Sequence, residues 1–91
     1  MKDIAVFGKG GYGQEMKCLI DAINHVKEEW NFIGYFDDAG EIGEEVFDGN
    51  LLGNMEDLNK WDKELYIVIS IGSPSSIHHV ASRITNPNIK F

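Results

Sequence analysis

The sequence predicts an α/β fold, a small parallel sheet flanked by helices, and three observations predict it. Two short apolar runs, Ile4-Ala5-Val6-Phe7 and Leu65-Tyr66-Ile67-Val68-Ile69-Ser70-Ile71, have the character of parallel strands buried on both faces. Each is closed by glycine and followed by apolar residues at helical spacing. The elements then alternate as strand, helix, strand, short strand, helix, strand, helix and strand, an order that implies parallel pairing through right-handed crossovers.

The first strand is Ile4 to Phe7. From Gln14 to about Glu29 a helix is expected, with Met16, Leu19, Ile20, Ile23 and Val26 as its buried stripe and Lys17, Asp21, Asn24 and Lys27 on the opposite side. Asn31 to Phe36 is aromatic and β-branched, stops at Asp37-Asp38, and reads as the second strand. Ala39 to Asn50 is an acidic, glycine-containing loop with room for a short strand near Val46-Phe47, and Leu51-Leu52 is a brief strand of its own. Asn54 can cap a short helix over Met55 to Trp61, with Asp57 in its first turn. Leu65 to Ile71 is the central strand. Ser73 as N-cap and Pro74 at the first helical position then open a helix to about Ile84, whose stripe is Ile77, Val80, Ala81 and Ile84. Asn86-Pro87-Asn88 is a turn, and Ile89-Lys90-Phe91 begins a further strand.

Ninety-one residues suit one domain, residues 1–91, and are too few for a six-stranded dinucleotide fold with a separate catalytic half. Fifteen acidic against eight basic residues give a net charge of −7, which disfavours nucleic acid and anionic membrane as partners. Arg83 is the single arginine, so an anionic ligand has to be held by backbone amides and helix dipoles. Cys18 stands alone, which excludes an intrachain disulfide and a cysteine metal site. No apolar run approaches a membrane span, no signal peptide is visible, and a cytoplasmic location is expected.

The chemistry concentrates in Gly8-Lys9-Gly10-Gly11-Tyr12-Gly13. Gly8, Gly10 and Gly13 have the G-x-G-x-x-G spacing directly after a strand and before a helix, the context in which that spacing carries meaning. Glycines there permit a tight turn, let phosphates approach the backbone, and let helix and strand pack closely. The amides of Gly11, Tyr12, Gly13 and Gln14 are then expected to face the anion; the same glycines also suit a purely structural turn. Asp37-Asp38 lies at the end of the second strand, where an acidic residue can accept from ribose hydroxyls or a base N–H. Asp-Asp-Ala-Gly is equally ordinary turn composition. Gly72 and Ser73, at the same edge of the sheet, can close a crevice or simply cap a helix.

Other residues point away from chemistry. His78 and His79 are adjacent on a helix and diverge by about 100°, so they cannot grip one metal. His25 suits a helix end, Cys18 a small core position, and Glu28-Glu29 and Glu44-Glu45 solvated surface.

Three blocks, Ile4-Ala5-Val6-Phe7-Gly8-Lys9-Gly10-Gly11-Tyr12-Gly13-Gln14-Glu15, Phe32-Ile33-Gly34-Tyr35-Phe36-Asp37-Asp38 and Val68-Ile69-Ser70-Ile71-Gly72, resemble the amino-terminal domain of the NeuD/PglD-type sugar acetyltransferases. These include sialic acid O-acetyltransferases and nucleotide-sugar N-acetyltransferases. The resemblance implies a Rossmann-like domain that holds a sugar or UDP-sugar, with Gly10, Gly11, Tyr12 and Gly13 around the phosphates, Asp37 and Asp38 near the nucleoside, and Gly72 lining the crevice. It also implies a following left-handed β-helix, outside these 91 residues, that binds acetyl-CoA, supplies the catalytic histidine and forms a homotrimer. On that footing this domain carries no catalytic residue, metal or cofactor of its own. Two other readings stay open at this point: an NAD(P)-binding domain of an oxidoreductase, and a regulatory ligand-binding module.

Overall fold

The computed structural model describes residues 1–91. Its elements are β1 (Lys2–Phe7), α1 (Gly11–Val26), β2 (Trp30–Phe36), β3 (Glu45–Val46), β4 (Gly49–Gly53), α2 (Met55–Asn59), β5 (Leu65–Ile69), α3 (Pro74–Arg83) and β6 (Ile89–Lys90). They form one six-stranded sheet in the order β3-β4-β2-β1-β5-β6. The expected α/β architecture is present, with β1 at its centre between β2 and β5, both parallel to it.

The pairing departs from an all-parallel sheet at one edge. β3 runs antiparallel to β4, joined by a two-residue turn of Phe47 and Asp48, with Val46 opposite Gly49. Asp48 adopts the left-handed conformation (φ 54°), which aspartate tolerates better than most residues. Tyr35 fastens this hairpin to the sheet, because its buried ring carries a hydroxyl that donates to the Phe47 carbonyl at 2.7 Å. Burial, reinforced by the Asp48 charge, pushes that phenol up to about 12, so it stays a donor across the neutral range.

Helices cover both faces. Ala5, Phe7, Phe36, Leu65, Ile67 and Ile89 pack with Met55 and Leu58 of α2 and Val80 of α3 on one side, while Ile4, Val6, Tyr35 and Leu51 pack with Ile20 of α1 on the other. α2 starts at a full capping box: the Asn54 side chain accepts from the Asp57 amide and the Asp57 carboxylate from the Asn54 amide. α3 begins as its sequence foretells, with Ser73 as cap and Pro74 in the first turn. No helix is long and apolar enough to cross a membrane.

The phase of α1 keeps Met16 and Ile20 of the expected stripe on the sheet but departs from the periodicity at the other three positions. The residues it buries are Gly13, Lys17 and Ile20, whereas Leu19, Ile23 and Val26 are 52%, 42% and 88% exposed. The cause is at the helix start: Gly13 packs so closely on the Gly8 carbonyl that a Cβ there would overlap the oxygen. That contact fixes the rotation of the helix, and the apolar edge turns sideways. Lys17 fills the inward position by laying its stem along the sheet, its ammonium over the Phe32 ring and paired with Asp21. Cys18, expected in the core, is exposed on the same helix.

This phase has a measurable signature. Ile20→Ala should cost about 2–4 kcal/mol by urea unfolding, while Leu19→Ala should cost less than about 1 kcal/mol. Equal losses would mean that the stripe faces the sheet after all.

Candidate functional site: the crevice between β1 and β5

From β1 the chain moves outward one way, through β2 to β4, and then crosses to β5 and β6 on the other side. The reversal lies between β1 and β5, and in open α/β sheets the crevice outside the carboxyl ends of such a pair is where ligands bind. The loop of Gly8 to Gly10 leaves β1 at this point, and Gly72-Ser73 follows β5 at the same edge.

Gly8 is wedged between the two neighbouring strand ends. Its amide donates to the Phe36 carbonyl at 2.8 Å, its φ is +119°, and a Cβ would run into the Ser70 carbonyl. Only glycine fits there. Gly10 is the N-cap of α1 in extended geometry and provides no side-chain cap. The helix therefore begins at Gly11, three residues earlier than its apolar pattern suggests. The amides of Gly11, Tyr12 and Gly13 find no acceptor in the chain, while that of Gln14, also expected to be free, donates to the Gly10 carbonyl at 3.1 Å. A Cβ at Gly10 or Gly11 would meet nothing within 4 Å. Two of the glycines thus face open space and two, Gly8 and Gly13, serve close packing.

Tyr12 is 63% exposed, and its ring edge lies about one van der Waals contact from the space beside Gly72. The structure in this way brings Gly10 to Gly13 and Gly72 to one crevice. Ser73 caps α3 by accepting from the Ser76 amide at 3.3 Å and also bonds the Ser75 and Ser76 hydroxyls. The crevice is an open shelf. The two surface concavities lie elsewhere, one lined by Met1, Lys2, Glu29 and Trp30 at the opposite edge of the sheet, the other by Glu45, Val46, Asp48, Gly49 and Asn50 on the hairpin.

The two aspartates separate. Asp37 adjoins the glycine loop: one carboxylate oxygen accepts from the Lys9 amide at 3.0 Å and the other from the Ala39 amide at 2.9 Å. Each oxygen keeps a lone pair for a further donor. Asp38 engages the opposite layer, accepting from the Met55 amide at 3.1 Å and from Arg83 at 2.9 Å. Partial burial raises the Asp38 pKa, but the Met55 amide and the Arg83 guanidinium outweigh it and hold the carboxyl below its usual range. The one arginine is therefore committed to Asp38, tying α3 to the end of β2.

One participant escaped the sequence reading. Lys9, inside the glycine loop, sends its ammonium to Glu44 at 2.7 Å, so Glu44 is not free solvated surface. The bond to Lys9 holds the Glu44 carboxyl below the usual carboxylate range. Nothing in local spacing connects positions 9 and 44. His25 lies in the last turn of α1, at the helix end expected for it, and His25, His78 and His79 are all exposed.

Residues 3–84 match the family model described as the PglD N-terminal domain. A comparison with curated proteins finds no match.

The four glycines should behave in two classes. Gly13→Ala should lower stability by at least about 1–3 kcal/mol, since backbone would have to shift, while Gly10→Ala should leave the melting temperature nearly unchanged. Calorimetry compares them, and an undisturbed Gly13→Ala protein would rule out the close contact. For Asp38, a folded-state pKa below the ordinary 3.8 means stability that is complete above that value and lost as the pH falls through the lower one. Asp38→Asn should accordingly be less stable than the parent at about pH 6, with the gap narrowing by about pH 3. A gap independent of pH would contradict the assignment.

Proposed function

We propose a function from one premise: the chain belongs to the PglD N-terminal domain family. It is the substrate-holding domain of a sugar acetyltransferase. The ligand is a sugar or, as the chemistry of the crevice favours, a UDP-sugar. Acetyl-CoA and the catalytic base belong to a trimer-forming domain outside these residues, and the reaction is a cytoplasmic one.

The observation that carries this reading is the trio of unpartnered amides of Gly11, Tyr12 and Gly13 beside a surface kept free of Cβ atoms at Gly10 and Gly11. Hydrogen bonds to a charged group contribute about 1.5–3 kcal/mol each, against about 0.3–1 kcal/mol for the helix dipole alone. The amides therefore decide the preference for a phosphate or diphosphate. The nucleoside extends toward Asp37, whose carboxylate is already oriented by the Lys9 and Ala39 amides. Asp38 takes a supporting part, tying α2 and α3 to the end of β2. The Tyr12 ring and Gly72 bound the other side. An open shelf of this kind leaves the sugar end of the ligand accessible to a second domain, which is what transfer of an acetyl group from elsewhere demands.

A UDP-sugar should raise the melting temperature more than NAD or NADP at equal concentration. A ligand at 100 times its dissociation constant stabilises by about 2.7 kcal/mol, several degrees for a domain of this size. Gly10→Val should abolish the shift without lowering the melting temperature of the free protein. A larger shift with NAD would overturn this reading in favour of a dinucleotide-binding oxidoreductase domain.

A further inference from the structure

We infer that Lys9 is a positioning residue, which sets ligand affinity through Glu44 by holding the segment 39–44 against the glycine loop rather than by touching the ligand's phosphates. The inference rests on the proposed use of the crevice, but its structural half stands on contacts alone.

A lysine within a phosphate-binding glycine loop invites the opposite assignment, a cation aimed at the anion. Its surroundings argue otherwise. The Lys9 amide is held by Asp37 at 3.0 Å, and the side chain, three-quarters buried, ends with its ammonium on Glu44 at 2.7 Å. The segment folds around that ion pair. The α-carbon of Gly40 faces both the Lys9 ammonium and the Glu44 carboxylate so closely that a Cβ would overlap them, and its φ of +95° is one that glycine alone adopts freely. Gly43, at φ +91°, supplies the second bend.

The far side of the segment is secured independently. The Gly43 amide donates to the Leu51 carbonyl and the Leu51 amide to the Glu44 carbonyl, each at 2.8 Å, which anchors it to β4. Toward the crevice only two links remain, Asp37 through the Ala39 amide and Lys9 through Glu44. Asp37 is the carboxylate placed nearest the glycine loop. Any looseness in the segment that follows it is transmitted to its orientation, so the ion pair stabilises the site by keeping Asp37 and the glycine loop in one arrangement.

The test uses the 91-residue chain as wild type, Lys9→Ala, Glu44→Gln and the charge exchange Lys9→Glu with Glu44→Lys. Amide hydrogen exchange of the segment 39–44 is followed by mass spectrometry, and UDP binding by calorimetry. Each single substitution should speed exchange in the segment and weaken UDP binding roughly fivefold, the scale of a partly exposed ion pair. The charge exchange should return both to within about twofold of wild type. Recovery is informative because the exchanged protein carries a carboxylate in the glycine loop, where an ammonium serving the phosphates directly could not be replaced. Restored exchange with affinity still lost would overturn the positioning role, and unchanged exchange in both single variants would overturn the latch itself. A wild-type chain that binds no UDP or UDP-sugar would instead sink the proposed function, leaving the latch to be decided by the exchange data alone.

Discussion

The contact of Gly13 with the Gly8 carbonyl is the constraint on which the rest depends. It brings the first turn of α1 against the backbone that leaves β1, a distance no other residue allows. Three consequences follow from that single approach. The helix cannot rotate to place its apolar edge on the sheet, so Lys17 is buried and Leu19, Ile23 and Val26 face outward. Its first amides are delivered to the crevice beside the end of β5. Gly10 and Gly11 are left facing open space, so those amides are reachable.

The charges of the molecule are arranged to leave the crevice without a compensating cation. Arg83 is taken by Asp38, Lys9 by Glu44 and Lys17 by Asp21. Consecutive aspartates at the end of β2 turn to different layers, one orienting the glycine loop and the other joining α2 and α3. With a net charge of −7, the protein as a whole repels an anion at long range, though at physiological salt that repulsion is screened beyond about 8 Å. On the proposed reading, recognition of an anion is therefore local, through hydrogen bonds made only on contact.

What could be read in the sequence was whatever is written in neighbouring residues. The strand, glycine loop and helix in succession gave away the fold and the crevice, and Ser73-Pro74 and Asn54 with Asp57 marked two helix starts. What stayed hidden depends on partners far along the chain. A hydrophobic stripe says that a helix has an apolar side, but not that Gly13 will turn that side away from the sheet. Phe47-Asp48 lacks the Asn-Gly signal of a tight hairpin, so the antiparallel edge was read as more parallel sheet. Lys9 with Glu44 and Asp38 with Arg83 are pairs separated by 35 and 45 positions, and nothing in local spacing links either pair until the fold joins them.

The strand order also bears on when the crevice comes into being. β1, α1 and β2 form a local unit, and the glycine loop lies wholly within it. The other wall arrives only when β5 pairs with β1, joining Ile4 to Tyr66 across about 60 intervening residues. That pairing carries the entropy cost of closing a long loop, and it is also the pairing that seats Gly8 against Ser70. A chain in which β5 is unpaired carries the whole glycine motif and yet lacks the other wall of the crevice, so that on the proposed reading ligand capture reports completion of the sheet rather than presence of the motif.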